Sequence, residues 1–283
     1  MQIVHSVAQL RHALAHHPGT RGFVPTMGFL HVGHQTLFAR AAAENDVAIA
    51  SVFVNPTQFN DPEDLLRYPR DPEGDARKAH ESGIHILWMP EVQDMYPPGN
   101  ATTVSVSGLT DGLCGATRPG HFDGVATVVA RLLTAAAPQC AYFGQKDYQQ
   151  LAVIRRMAAD LLMDVEIVGV STVRESDGLA MSSRNARLSP ADRSASVAIS
   201  RGLFAARDGY EQGVRSSNAL LQTVRDSVLT IPGVSVDYLE LVHGSTLQPA
   251  PGDLPPFGHW VVAVAAWVGG VRLIDNLELG SVQ

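Results

Sequence analysis

Gly22-Phe23-Val24-Pro25-Thr26-Met27-Gly28-Phe29-Leu30-His31-Val32-Gly33-His34 decides how the rest of the chain is read. Gly22–Val24 has the look of a short buried strand, and an apolar helical pattern runs from Leu37 to Ala43. The turn between them carries two glycines and two histidines three residues apart. Strand, glycine-bearing turn and helix bring free backbone N–H groups and the positive helix end to one place, which suits phosphate. His31 and His34 fall on one side of the first helical turn, and Gly33 lets a ligand come close to the backbone. Zinc would need a third or fourth protein ligand, and no neighbouring cluster supplies one. A helix cap or a core position is the ordinary alternative for either histidine.

Working outward, the rhythm is β and α in alternation. Val47–Val54 is a nearly continuous apolar run rich in β-branched residues, as expected of a parallel strand covered on both faces. A helix is predicted near Pro72–Glu81 and a short strand at Ile84–Trp88. Another helix runs from a cap at Asp123 to Ala137, where Pro138 stops it. Strand Cys140–Phe143, helix Asp147–Leu162 and strand Val165–Val170 continue the pattern. The prediction is a doubly wound parallel sheet, whose ligands collect beyond the carboxyl ends of the strands. After about Thr172 the rhythm changes. Ser189-Pro190-Ala191-Asp192 reads as a helix start, and a second helix runs from Ser216–Ser217 to about Leu229. Val234–Val242, Trp260–Val268 and Val271–Leu279 then read as antiparallel strands of a smaller α+β domain, so the expected domains are 1–172 and 173–283.

The 283 residues are 45% apolar and 17% charged, an ordinary globular composition. A net charge of −7 argues against a general nucleic-acid binder. Cys114 and Cys140 are too few for a disulfide scaffold and lack zinc spacing, which fits inert thiols in a reducing cytosol. The start, MQIVHSVAQL, has no signal-peptide pattern, and the apolar stretch Trp260–Val268 is too short to span a bilayer. The expected location is cytoplasmic, away from membranes.

Four further segments carry polar groups at the ends of predicted elements. Asn55 and Gln58 follow the strand at Val47–Val54, where an amide suits a ligand bearing hydroxyl and carboxylate groups, although a plain turn explains that segment alone. Arg118-Pro119-Gly120-His121-Phe122-Asp123-Gly124-Val125 is a glycine-dense loop feeding a helix. In Phe143-Gly144-Gln145-Lys146-Asp147-Tyr148-Gln149-Gln150, Lys146 offers a compact positive charge for phosphate, although a solvated lysine at a strand end explains that segment alone. Asp147 can cap a helix or meet ribose hydroxyls. Last, Met181-Ser182-Ser183-Arg184 gives two hydroxyls and a guanidinium fork for phosphate oxygens at the proposed domain junction, where a flexible serine-rich linker is the ordinary alternative.

PTMGFLHVGH, FVNPTQF, EDLLRYPR, RPGHFDGV, FGQKDYQQ and DGLAMSSRN occur in the order seen in pantothenate synthetases. The histidine turn itself resembles the HxGH signature of nucleotidyltransferases. The chain closely resembles the pantoate–β-alanine ligase family, strongly from Val24 to Arg193 and by general pattern beyond. That resemblance implies a Rossmann-like N-terminal domain, a smaller C-terminal lid domain and a homodimer. It implies ATP-dependent joining of (R)-pantoate to β-alanine through a pantoyl-adenylate, releasing AMP and pyrophosphate. Carried over by motif, Met27, Gly28, Phe29, Leu30, His31, Val32, Gly33 and His34 form the ATP-binding turn, with His34 the usual proton donor. Gly144, Gln145, Lys146, Asp147, Val173, Met181, Ser182, Ser183 and Arg184 complete the nucleotide site. Gln58 and Gln150 hold pantoate, with Gln58 also near β-alanine. Asp75 matches an acidic position tied to the Mg²⁺ environment. Two departures stand out: Phe29 replaces a smaller residue such as alanine, and Gly74 replaces an acidic one.

The physical demands agree with this assignment. A carboxylate attacking the α-phosphate of ATP meets anion–anion repulsion, so the site must supply charge and alignment rather than a covalent nucleophile. The mixed anhydride is prone to hydrolysis, so closure of a second domain would help to exclude water. Another adenylate-forming or nucleotidyl-transferring enzyme of the superfamily is the nearest alternative. An aminoacyl-tRNA synthetase would need an RNA-binding region that the acidic charge does not suggest. A catalytically silent nucleotide-binding module would have no need of His31, His34, Lys146 and Arg184 together.

Overall fold

The computed structural model describes residues 1–280. Six strands, β1 (Gln2–Val4), β2 (Arg21–Thr26), β3 (Val47–Val52), β4 (Ile86–Trp88), β5 (Cys140–Gly144) and β6 (Glu166–Val170), form one sheet. Their order is β1-β4-β3-β2-β5-β6, and every neighbouring pair is parallel. Both faces are covered, as the unbroken apolar runs require. Val24, Ala48, Ala50, Leu87 and Tyr142 pack beneath the helices Val32–Glu44 and Pro72–Glu81. The opposite face is covered by the helices Val7–Ala15 and His121–Ala136.

Chain order reverses at β2, which has β3 on one side and β5 on the other. The β2–β3 ladder runs the whole length of both strands, from Arg21–Val47 to Thr26–Val52. The β2–β5 ladder stops after Gly22–Cys140 and Phe23–Ala141. Beyond that point the two strands no longer pair, at the carboxyl edge of the switch point where sheets of this kind bind their ligands. The turns leaving β2, β3 and β5 carry the histidines, Asn55–Gln58 and Gly144–Lys146 in that order.

A second sheet is antiparallel in the order β7 (Ser235–His243), β8 (Trp260–Val268) and β9 (Val271–Leu279). Its apolar side packs with the helices Val197–Glu211 and Ser217–Val228 around Leu203, Val224, Val262 and Val264. The chain divides into two compact units. One contains residues 1–107, 118–145 and 150–171; the other contains 108–117, 146–149 and the residues from 172 onward. The loop 108–117 and residues 146–149 group with the second unit because side chains bind them there. Gln149 donates to Leu109 O and Gly112 O and accepts from Cys114 N, while Tyr148 donates to Gly244 O.

Several boundaries differ from expectation. Asp123 does not cap its helix: Gly120, in the left-handed region with φ 76°, precedes His121, and Asp123 sits in the first turn accepting from Ser105 Oγ at 2.7 Å. The helix whose apolar pattern runs from Leu37 to Ala43 begins at Val32, with His31 as its cap and His34 in its first turn. Strand β1 and the helices Val7–Ala15 and Val197–Glu211 were not anticipated. The first of these helices had a readable signal. Ser6 and Gln9 form a reciprocal capping box.

Candidate active site

The turn after β2 is held from inside and below. Gly28 and Phe29 both occupy the left-handed region, with φ 82° and 50°. Glycine adopts this freely, whereas a bulky L-residue is strained there. Asp75, only 1% exposed, accepts Phe29 N–H through Oδ2 at 2.9 Å and Leu30 N–H through Oδ1 at 2.7 Å. Thr26 Oγ1 takes Gly28 N–H at 3.2 Å. A Cβ added at Gly28 would lie 2.8 Å from Asp75 Oδ2, so the carboxylate and the missing side chain share one space. Burial pushes the Asp75 carboxyl above its ordinary range, and its two backbone donors oppose that shift.

The histidines are caps as well as candidates for chemistry. His31 is the N-cap; its Nδ1 accepts Gly33 N–H at 3.1 Å, and His34 Nδ1 accepts His31 N–H at 3.2 Å. A ring nitrogen that accepts an N–H carries no proton, so the neutral form of both rings has its proton on Nε2. The rings lie 4.1 Å apart between centroids. The donors this turn can offer are therefore imidazole Nε2–H groups more than backbone amides. Of the turn amides, Val32 N–H at the first helical position has no partner among the described residues. This corrects the expectation of many free amides, since Asp75, Thr26 and the rings have already taken most of them.

Beyond β3, buried Asn55 is a hub. Its Oδ1 accepts from Thr57 N, Thr57 Oγ1 and Tyr96 OH, and its Nδ2 donates to Gly124 O and Gln58 Oε1, both at 3.1 Å. Backbone Thr57 N–H can only donate and Gly124 C=O can only accept, so this amide cannot be flipped. Gln58 inherits its polarity: with Oε1 accepting from Asn55, its NH₂ faces Met27 Sδ at 3.2 Å. His121 Nδ1 at 2.7 Å and Arg118 Nη2 at 3.1 Å both donate to Gln58 O. Arg118 Nη1 lies 3.2 Å from His121 Nε2, so that nitrogen must accept and the ring is neutral. Gly124 approaches this loop so closely that a Cβ there would meet Thr57 O at 2.5 Å.

In the second unit, Lys146 follows β5 by two residues. Its side chain is 16% exposed, and its nearest carboxylate, Asp147 Oδ2, stands 3.9 Å away. A mostly enclosed ammonium with so distant a counter-ion suits an incoming anion. Val173 and Met181 are joined by Met181 N–H to Val173 O at 2.9 Å, closing a hairpin with Arg174 opposite Ala180. Ser182 caps the short 3₁₀ turn Ser183–Arg187 by accepting Arg184 N–H, so the serine–arginine motif is a formed turn rather than a linker. Gly144 and Gln145 end the strand side of the same run, and Gln150 is half-buried with its amide unbonded to any described residue.

Sequence reasoning missed Asp275 and Asn276, which bind the hairpin and the Lys146 carbonyl. Their signal was present: two consecutive polar residues between the apolar pair Leu273-Ile274 and Leu277. Among the described residues no group of three His, Cys, Asp or Glu is placed to hold a metal ion. Asp75, expected near Mg²⁺, already accepts two backbone amides. These side chains do not form a protein-held magnesium cage, and Mg²⁺ ordinarily binds nucleotide phosphates and water with few protein ligands.

Residues 2–278 match the family described as Pantoate-beta-alanine ligase. A pantothenate synthetase of Pelobacter propionicus is 51% identical over 261 residues, covering 91% of this chain and 90% of that one. The solved pantothenate synthetase of Thermus thermophilus gives a TM-score of 0.93 at 49% identity, covering 99% of this chain and 100% of that one. The pantoate-beta-alanine ligase of Francisella tularensis, complexed with beta-gamma ATP and beta-alanine, gives a TM-score of 0.79 at 32% identity, covering 98% and 97%.

Proposed function

The chain belongs to the pantoate–β-alanine ligase family, and from that premise we propose that it makes pantothenate through a pantoyl-adenylate. It is an ATP-dependent ligase that forms a C–N bond. In the first step a carboxylate oxygen of pantoate attacks the α-phosphate of ATP and pyrophosphate leaves. In the second, the neutral amine of β-alanine attacks the acyl carbon, AMP leaves with the bonding electrons, and the ammonium proton passes to solvent or a nearby base.

The observation that carries this reading is the pair of imidazoles whose Nδ1 atoms are both engaged by backbone N–H. Two Nε2–H donors fixed before substrate arrives give stabilisation without reorganisation during the reaction. His31 and His34 act on the phosphates, and His34 is the group we assign to the leaving oxygen, to which its Nε2–H donates a hydrogen bond. Lys146 and Arg184 supply charge, with Met27–Gly33, Gly144, Gln145, Asp147, Val173 and Met181–Ser183 lining the nucleotide site. Gln58 presents its NH₂ to an acceptor oxygen of pantoate and then lies near β-alanine; Gln150 holds pantoate from its helix. We read Mg²⁺ as entering with ATP and neutralising phosphate charge, so no step here runs through a protein-held ion. Two free thiols support a cytoplasmic setting, and the homodimer rests on the family resemblance.

Lys146→Ala tests the assignment. AMP-forming turnover with pantoate, β-alanine and ATP should fall about 10²–10³-fold, the size of losing one oriented charge from a dry site, with an unchanged melting temperature. Near-normal turnover in a folded variant would remove Lys146 from the chemistry.

A further inference from the structure

Strand β9 carries two polar side chains in succession, Asp275 and Asn276, and both are buried, at 4% and 7% exposure. Their β8 partners, Val264 and Ala263, are both apolar and offer no side-chain polar group. Successive strand residues point to opposite faces, and here each holds a different part of the candidate nucleotide site. Asn276 Nδ2 donates to Lys146 O at 2.8 Å. Asp275 takes the Arg174 guanidinium in a two-point grip, Nη1 to Oδ2 at 2.7 Å and Nη2 to Oδ1 at 3.0 Å. Arg174 also donates to Gly178 O at 3.1 Å and to Asn276 O at 3.4 Å, so it closes its own hairpin and touches both β9 residues. The hairpin leads through Met181 into the Ser182–Arg184 turn.

A buried ion pair is weak support for stability, because apolar residues of similar size often stabilise as well or better. What a forked Arg–carboxylate contact supplies is fixed geometry. We propose that Asp275 and Asn276 are positioning residues for adenylation: β9 acts as a ruler that sets the Lys146 segment against the serine–arginine turn. The inference rests on the assignment of Lys146 and Arg184 to phosphate. It adds that their spacing is set by side chains that touch no substrate.

The test compares half-reactions in the full-length enzyme. Pantoate-dependent exchange of labelled pyrophosphate into ATP reads adenylation, and release of pantothenate from preformed pantoyl-adenylate by β-alanine reads aminolysis. Asn276→Ala should lower the exchange kcat about tenfold or more, as a misplacement near 1 Å does, while the KM for β-alanine and the aminolysis rate stay near wild type. Intact aminolysis also shows that the variant is folded. Arg174→Lys keeps the charge and loses the fork, and should give the same split if Asn276→Ala does not fold. Lys146→Ala is the reference. If it abolishes exchange while Asn276→Ala and Arg174→Lys leave exchange unchanged, or lower both half-reactions equally, the positioning role is wrong. If Lys146→Ala itself keeps exchange, the underlying phosphate assignment fails and takes the ruler with it.

Discussion

Gln149 and Gln150 are neighbours with different work. Gln149 is buried and holds Leu109, Gly112 and Cys114 through three hydrogen bonds of 2.8 to 2.9 Å. Gln150, one residue further round the helix, has no such partners. Gln149→Ala should therefore lower stability, by roughly 1–3 kcal/mol for each buried group left without a partner. Gln150→Ala should leave the melting temperature alone and raise the KM for pantoate about three- to tenfold, the worth of one hydrogen bond, with little change for ATP. Melting curves and substrate titrations of the two variants check this, and the reverse pattern would exchange their roles. The letters QQ do not distinguish them, because the difference lies in a loop 35 residues earlier in the chain. The histidines were legible for the opposite reason. Their partners lie within three residues of each other, so spacing alone carried both the cap and the candidate donors. Asp75 reaches back 45 and 46 residues to the turn, and nothing local announced that it would hold backbone rather than metal.

At the level of elements, the hairpin from Val173 to Met181 shows how charge supports a site it does not enter. Arg193 pairs with Glu175 at 2.6 Å and with Asp177 at 2.8 Å across the hairpin. The hydrogen bond from Arg193 holds the Asp177 carboxyl below its ordinary range. A depressed carboxyl contributes stability above its unfolded pKa, near 4, and loses it as pH falls through the folded value. The melting-temperature gap between wild type and Asp177→Asn should accordingly narrow below about pH 4. The stability difference behind that gap should be small even at neutral pH, at most about 1 kcal/mol, because the Asp177 side chain is 42% exposed and solvent screens the pair. A gap that widens on acidification would contradict the sign. Element types were readable where burial imposed a pattern. The strands Val47–Val52, Trp260–Val268 and Val271–Leu279 fell close to their predicted positions, as did the helix Pro72–Glu81. Strand β1, three residues long, has too little pattern to register. The helix Val197–Glu211 carries glycines at 202 and 209, which pack against Val224 and near Leu220 and conceal its period.

For the whole molecule, the alternation of strands and helices gave the parallel sheet, and the sheet order makes β3, β2 and β5, whose carboxyl ends lead into the candidate segments, neighbours. The grouping of residues 146–149 with the second unit was not legible, since it depends on contacts from Gly244 and Asn276, about a hundred residues away. An acidic chain of net charge −7 that handles ATP must concentrate its cations locally. Lys146 and Arg184 are the cations assigned to that task and His31 and His34 the neutral donors beside them, and together they outnumber any candidates for activating an amine. Phosphate chemistry therefore comes first. The most direct measurement is isotope exchange: labelled pyrophosphate should enter ATP with pantoate and Mg²⁺ present and β-alanine absent, and His34→Ala should depress that exchange together with overall turnover. Exchange that strictly requires β-alanine would contradict the order of steps, and exchange supported by an amino acid but not by pantoate would contradict the substrate assignment.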